Sequence, residues 1–267
     1  MKRIGLIAGN RKFPLIFCEG ARKQGYQVIA VAIKGDTSPL INLAAHKVHW
    51  LKLTEFKRMF DIFQSEGLKD VAMAGQVSPH HLFKKEVISN PDIQEILTSL
   101  IDKKADTIFS AIADRLSLAG LRLLDSTIFI RDFMPSKGSL TGNEPDTDLL
   151  DDIYFGLELA KGVGALDIGQ TVAVKHKVIV AVEALEGTDN LILRAGRLAG
   201  QGITVVKVAK PKQDMRFDIP VVGLNTVKRL IKVGAKCLAI EADKTLFIDR
   251  EESVKLALSK GITIIAV

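Results

Sequence analysis

The stretch MKRIGLIAGNRKFPLIFCEGARKQGYQVIAVAI, residues 1–33, decides the fold class. Arg3–Ala8 is a short apolar run of strand length. Gly9 and Pro14 punctuate the loop that follows, and an amphipathic segment continues to Lys23. Gly25 closes that segment, and Gln27–Ile33 is a second strand. The alternation continues outward. Val48–Leu51 is a third strand. Thr54 is the expected N-cap of a helix carrying Phe56, Met59, Phe60 and Phe63 on one face, with Gly67 at its end. Val71–Ala74 is a fourth strand, broken by Gly75. Strands alternating with helices predict a parallel sheet with helices on its faces.

The turn Asn90-Pro91-Asp92 leads into a segment Ile93–Ile101, and a helical pattern covers Lys103–Leu124. The run PSKGSLTGNEPDTD that follows is poor in apolar residues and rich in Gly, Pro, Ser and Thr. It marks a boundary, giving a Rossmann-like parallel-sheet domain over residues 1–134, a linker at 135–147 and a second α/β domain with a mixed sheet over 148–267. In the second domain a helix occupies about Asp148–Val163. Gln170–Val174 and Val178–Glu183 are strands joined at Lys175-His176-Lys177. Ile203–Val208, Cys237–Ile240, Thr245–Ile248 and Ile262–Val267 are further strands, and Thr226 caps a basic helix ending near Gly234.

Composition bounds the function. Of 267 residues, 47% are hydrophobic and 25% charged, as expected of a globular chain. Lys and Arg outnumber Asp and Glu by 37 to 31. That excess suits an anionic ligand or an anionic membrane surface, and is too dispersed to argue for nucleic acid. Two distant cysteines, Cys18 and Cys237, point to a reducing compartment. The apolar run before Gly9 is too short for a secretory signal, and no run approaches the roughly 18 residues of a membrane span. Any membrane contact is therefore expected to be peripheral.

Several loops carry chemistry. Gly5 and Gly9 lie at a strand end before a helix, where backbone N–H groups favour phosphate, with Asn10 beside them. The dinucleotide fingerprint G-x-G-x-x-G is not met, so a tight turn without ligand is an equal reading. Gly75-Gln76-Val77-Ser78-Pro79 follows the fourth strand, where Gln76 and Ser78 are placed to donate to a phosphate or sugar; an ordinary turn is the alternative. The five histidines show no ligand spacing, which argues against zinc. Asp167-Ile168-Gly169-Gln170 and Glu186-Gly187-Thr188-Asp189 put carboxylates in loops beside strands, a pattern suited to Mg²⁺. Thr188 or Asp189 also suits the N-cap of the helix that follows. The strongest signal is KVAKPKQDMRFDIP, Lys207–Pro220. Lys207, Lys210, Lys212 and Arg216 are interleaved with Asp214 and Asp218 in a loop stiffened by two prolines. Such a loop is equipped to neutralise a diphosphate while a carboxylate binds metal or orients water.

These motifs together resemble the UDP-2,3-diacylglucosamine pyrophosphatases of the DUF1009 type, from lipid A synthesis in Gram-negative bacteria. The resemblance rests on GLIAG followed by Phe13-Pro14, then AGQVS, LDIGQTVAV, VEALEGTD and KVAKPKQDMRFDIPVVG. It departs at Asn10, Arg11 and Lys12, where the family carries further glycines. The resemblance implies a two-domain enzyme with substrate held between its halves, hydrolysing a diphosphate with Mg²⁺ by attack of water on the α-phosphorus. The family's R-x-D-[IL]-P motif maps its essential aspartate onto Asp218. Lys210 and Lys212 would steady the diphosphate. Gly9, Asn10, Gly75, Gln76, Gln170 and Thr188 would contact substrate, and Asp167 and Asp189 would join Asp218 as metal ligands. An acylated UDP-sugar, peripheral contact with the cytoplasmic face of the inner membrane and a homodimer are the implied partners and setting. Two rivals remain at this stage. A Rossmann-type NAD(P) or nucleotide-sugar enzyme would show cofactor binding by thermal shift. A non-catalytic carrier would show no turnover.

Overall fold

The computed structural model describes residues 2–76, 89–91, 94–95 and 105–267. The chain forms two compact units. One comprises Met1–Ile130 with Asp214–Asp218, the other Arg131–Gln213 with Ile219–Val267.

The first unit is built on a parallel sheet of five strands: β1 (Lys2–Ala8), β2 (Tyr26–Ile33), β3 (Lys47–Leu51), β4 (Asp70–Ala74) and β5 (Arg122–Leu123), in the order β3-β2-β1-β4-β5. The strand order reverses between β1 and β4, the position where open sheets of this kind leave a crevice outside the strand ends. Helix α1 (Phe13–Lys23) connects β1 to β2; α2 (Ile41–Ala44), α3 (Lys57–Ser65) and α4 (Ala105–Leu118) follow in chain order. Met59 and Phe63 are buried with Ile29, Val31 and Leu116, so the apolar face read in the sequence is core. Two readings are corrected. Thr54 falls in a 3-10 turn, Leu53–Glu55, and α3 starts only after Phe56. The helix expected to reach Leu124 stops at Leu118, because Gly120 turns at φ +76° and Arg122–Leu123 joins β4 as an edge strand. Gly67 ends α3 as expected, with Leu68 N–H donating to Phe63 O (3.0 Å) and Gly67 N–H to Gln64 O (2.9 Å). The segment Ile93–Ile101 lies largely outside the described residues, as do Ser78, His80 and His81.

Residues 214–218 complete this unit's core. Phe217 stacks on Phe109 with ring centroids 5.5 Å apart. The Ser126 N–H donates to Met215 O (3.0 Å) and its hydroxyl to Arg216 O (2.6 Å). Just after α3, Glu66 gathers three groups near the starts of β1 and β3. Arg3 Nη2 donates to it at 2.6 Å and Lys47 Nζ at 2.5 Å, while His49 Nε2 lies 3.2 Å away. Its side chain is 12% exposed. Lys47, then Arg3, hold its carboxyl at about 2, against 4.5 unperturbed. A folded-state pKa below the unfolded one gives stability that is full above 4.5 and is lost as pH falls through about 2. Glu66→Gln is therefore expected to lower the unfolding temperature near neutral pH, with the gap from wild type closing in acid. A gap that stays constant down to pH 2 would contradict this.

The second unit carries a six-stranded mixed sheet, order β6-β13-β11-β9-β7-β8. Its strands are β6 (Gly138–Ser139), β7 (Thr171–Lys175), β8 (Val178–Val182), β9 (Thr204–Lys207), β11 (Cys237–Ile240) and β13 (Thr263–Ala266). The short β10 (Val221–Val222) and β12 (Leu246–Phe247) pair separately. β9, β11 and β13 run parallel, and β6, β7 and β8 are antiparallel to their neighbours. Consecutive residues point to opposite faces. Val206, Cys237 and Ile265 pack under α5 (Thr147–Ala165), whereas Val205, Leu238 and Ile264 pack under α6 (Thr188–Ala199) and α7 (Leu224–Val233). The last helix is α8 (Arg250–Leu258). Within 135–147, read as a linker, Gly138–Ser139 is the edge strand of this sheet. Gly138 adopts φ +140°, and so short an edge strand needs no apolar side chains. Both cysteines are buried free thiols, and burial pushes Cys18 up to about 12 and Cys237 higher still. No helix among the described residues is long and apolar enough to cross a membrane.

Candidate functional site

In the second unit the chemistry collects at one edge of the sheet. Antiparallel pairing sets Thr171, the first residue of β7, opposite Lys207, the last of β9. Glu183, one residue past β8, donates its N–H to Thr171 O (2.9 Å). All three therefore lie at the carboxyl end of β9, a strand of the parallel part of the sheet and the usual ligand side of such sheets. Lys207 and Glu183 are 4% and 7% exposed. Lys207 Nζ donates to Thr188 Oγ1 (2.9 Å) and Thr171 Oγ1 (3.3 Å) and lies 3.8 Å from Glu183 Oε2. The Thr188 hydroxyl donates in turn to Glu183 Oε1 (2.8 Å). Buried opposite charges are kept where they are paired and hydrogen-bonded; here two threonines bond the ammonium and Thr188 bonds one carboxylate oxygen, while among the described residues Glu183 Oε2 has only the ammonium 3.8 Å away. The sequence reading missed Glu183 and Thr171 and treated Lys207 as one loop cation among several. The available signal was a charged residue directly after each of two apolar runs, Val205-Val206 before Lys207 and Val178–Val182 before Glu183.

The loop that leaves β9 is fixed at its root. Val208 N–H donates to Gln170 O (2.9 Å), and Ala209 N–H to Glu241 Oε2 (2.8 Å). Lys161 Nζ bridges Ala209 O (2.9 Å) and Glu241 Oε2 (2.5 Å), and Lys244 Nζ holds Oε1 (2.7 Å). Burial alone would raise the Glu241 pKa, but Lys161, Lys244 and the Ala209 N–H together keep it below the ordinary glutamate value. Beyond this clamp Lys210 Nζ meets Asp167 Oδ1 at 2.6 Å, and Lys212 is exposed. Asp167 follows the end of α5 with φ +56°. Its N–H donates to Gly164 O (3.1 Å) and that of Ile168 to Val163 O (3.3 Å). This helix-ending turn ordinarily takes glycine. Aspartate tolerates the left-handed region better than most residues, and its carboxylate gives Lys210 a partner that glycine would not.

The EGTD loop differs from its reading. α6 begins at Thr188, its N-cap is Gly187 at φ +80°, and neither Thr188 nor Asp189 caps it. Thr188 instead serves Glu183 and Lys207. Asp189 Oδ1 accepts from Thr226 Oγ1 (3.3 Å), and Thr226 lies inside α7, whose N-cap is Gly223. Glu186 pairs with Arg194, which also donates to Val182 O (2.8 Å), so the carboxylate that capping left unexplained ties the loop to its helix.

In the first unit the loops after β1 and β4 meet at the strand-order reversal. Gly9 N–H donates to Ala74 O and Asn10 N–H to Gln76 O, both at 2.8 Å. A Cβ on Gly9 would lie 2.7 Å from Gln76 O, and one on Gly75, which has φ +83°, 2.5 Å from Asn10 O. Close loop-to-loop approach therefore accounts for both glycines. Gly9, Asn10, Gly75 and Gln76 are brought together as one cluster. Asp218 belongs to this unit, following a tight Asp214–Arg216 pair (Nη2–Oδ2 2.7 Å) in which Arg216 holds the Asp214 carboxyl below its usual range. Its N–H donates to Asp214 O (3.0 Å). The aspartates read as a metal set are thus divided, Asp167 and Asp189 in one unit and Asp218 in the other. Among the described residues no three of His, Cys, Asp and Glu gather as a metal group.

Two family models divide the chain between them: the LpxI N-terminal domain matches residues 3–133 and the LpxI C-terminal domain residues 136–265. The chain belongs to the LpxI family. A relative from Caulobacter vibrioides, UDP-2,3-diacylglucosamine pyrophosphatase LpxI, is 26% identical over 278 residues, covering 100% of this chain and 98% of that protein. Among solved structures, N5-carboxyaminoimidazole ribonucleotide synthetase from Thermotoga maritima aligns at 14% identity with a TM-score of 0.25, covering 71% of this chain and 43% of that one. Glycinamide-RNase-transformylase T from Mycobacterium tuberculosis gives 12%, 0.25, 68% and 44% in the same terms. At such scores neither likeness bears on this chain. The join between the two LpxI models, residues 133–136, falls just after the structural division at Ile130. The paired, buried Lys207–Glu183 network and the clamped loop root both lie within the LpxI C-terminal match.

Proposed function

We propose that this chain hydrolyses the diphosphate of UDP-2,3-diacylglucosamine to UMP and 2,3-diacylglucosamine 1-phosphate, as a step of lipid A biosynthesis. The observation that carries the reading is the end-to-end match to a protein named for that activity. In the proposed reaction, water oxygen bonds to the α-phosphorus, and the bond from that phosphorus to the bridging oxygen breaks. The bridging oxygen leaves with the acylated sugar phosphate. Asp218 either accepts the proton of the attacking water and orients it, or binds the metal. Lys210 and Lys212 lie on a loop whose root is clamped, a preorganised place for diphosphate charge. Asp167 acts by positioning Lys210. Gln170 and the cluster Gly9, Asn10, Gly75 and Gln76 are assigned to binding. Thr188 acts by holding the Lys207–Glu183 pair, since its proton is already donated to Glu183.

Mg²⁺ is the expected cofactor. Aspartate oxygens suit a hard cation, and Mg²⁺ characteristically takes one or two carboxylates together with substrate phosphates, so a pre-built three-carboxylate cage is not required. Asp218 or Asp189 would hold it, and it would supply charge neutralisation at the diphosphate. Because the substrate is a lipid, the chain is assigned to the cytoplasmic face of the inner membrane by peripheral contact.

The test is turnover in ¹⁸O water. With UDP-2,3-diacylglucosamine and Mg²⁺, label is expected in UMP. Label in the acylated sugar phosphate would place attack on the other phosphorus, and no UMP at all would leave only a carrier.

A further inference from the structure

The polar groups of this site suit the polar part of the proposed substrate and leave its acyl chains without a place. Large apolar side chains scattered singly over a surface are ordinary. Leu166, Ile168 and Leu185 are each at least half exposed, and they are not scattered. Leu166 and Ile168 flank Asp167 in the turn that ends α5. In such a turn the residue at the position of Ile168 commonly folds back over the helix residue at the position of Val163, yet half of Ile168 faces solvent. Leu185 lies in the loop after β8. The two loops touch, because a Cβ on Gly169 would come within 2.1 Å of Glu183 O, a contact only glycine permits. Ile168 and Leu185 are thus one and two residues from a single backbone contact. Between Leu166 and Ile168, the Asp167 carboxylate turns to Lys210 (2.6 Å), and Lys212 lies exposed two residues further along that loop.

Exposed apolar side chains and two lysines are therefore carried by loops at one end of the sheet, two of which meet at Gly169 and Glu183. A purely polar ligand has no use for the first, and an uncharged hydrocarbon none for the second. An anionic amphiphile matches both. We propose that Leu166, Ile168 and Leu185 form the acyl-chain rim of this site, receiving the hydrocarbon of the diacylated substrate while its diphosphate faces Lys210 and Lys212. This rests on the proposed diphosphatase reading.

The experiment compares UDP-2,3-diacylglucosamine bearing long acyl chains with its dibutanoyl analogue, for wild type, Ile168→Asp and Leu185→Asp, in detergent above its critical micelle concentration. Exposed positions tolerate these changes, and thermal unfolding checks each variant. The ratio of kcat/KM, long chain over short, is expected to fall about tenfold or more in the variants, as burial of a few methylenes dictates. An unchanged ratio overturns the proposal. So does loss of binding to anionic lipid vesicles with the ratio intact, which makes the rim a membrane contact, or a change in oligomeric state with the ratio intact, which makes it a contact between copies. A wild-type chain inactive on both substrates overturns the diphosphatase reading itself, and this inference with it.

Discussion

Asp218→Asn lowers turnover by about 10³-fold or more while leaving the unfolding temperature near that of wild type. The size follows from removing a group that moves a proton or binds the metal, since asparagine keeps the shape and does neither. The fold is expected to survive because neighbouring residues anchor the segment. Phe217 stacks on Phe109, and Ser126 holds Met215 and Arg216 through their carbonyls. Arg216 is occupied with Asp214. The measurement is UMP release from UDP-2,3-diacylglucosamine beside thermal unfolding of the same preparation. Turnover near the wild-type rate removes Asp218 from the chemistry.

Lys207→Met produces the largest expected loss of stability. It strands the Glu183 carboxylate, almost wholly buried, with one threonine donor and no cation. Breaking a buried pair in this way costs about 3–5 kcal/mol, which for a chain of this size lowers the unfolding temperature by on the order of 10 °C. Adding Glu183→Gln removes the stranded charge and keeps a hydrogen-bonding side chain. The double variant is therefore expected to recover most of the loss, because replacing both members of a buried pair is often close to neutral. Strictly additive losses would show that the two residues do not depend on each other. Turnover is expected to stay low in the double variant even as stability returns, because Thr188 and the first turn of α6 lose the ammonium that fixes them.

Much of this was readable from the residues. The strands of the first sheet were legible because short apolar runs end at glycines, and the parallel arrangement followed from their alternation with amphipathic helices. Helix starts were less legible. Thr54, Thr188 and Thr226 each have the chemistry of an N-cap, yet none caps an α-helix; Thr188 and Thr226 bond to groups distant in sequence, Lys207 and Asp189. Local propensity cannot register such partners. The site was half legible for the same reason. Lys210 and Asp167 stood out because charge in a loop is visible in sequence. Lys207 and Glu183 did not, because only the antiparallel pairing of β7 with both β9 and β8 brings the two strand ends together. Pairing across a sheet is a long-range property that spacing does not encode.

The five residues 214–218 belong to the first unit, although the chain on either side of them belongs to the second. The polypeptide therefore passes from one unit to the other at 130/131, 213/214 and 218/219. This bears on how the gene can change. A split or fusion at the join of the two family models would leave one fragment lacking Phe217, the ring that stacks on Phe109. Neither half could then be shuffled onto another protein with its packing intact. A short detour of the chain thus binds the two halves into a single unit of inheritance.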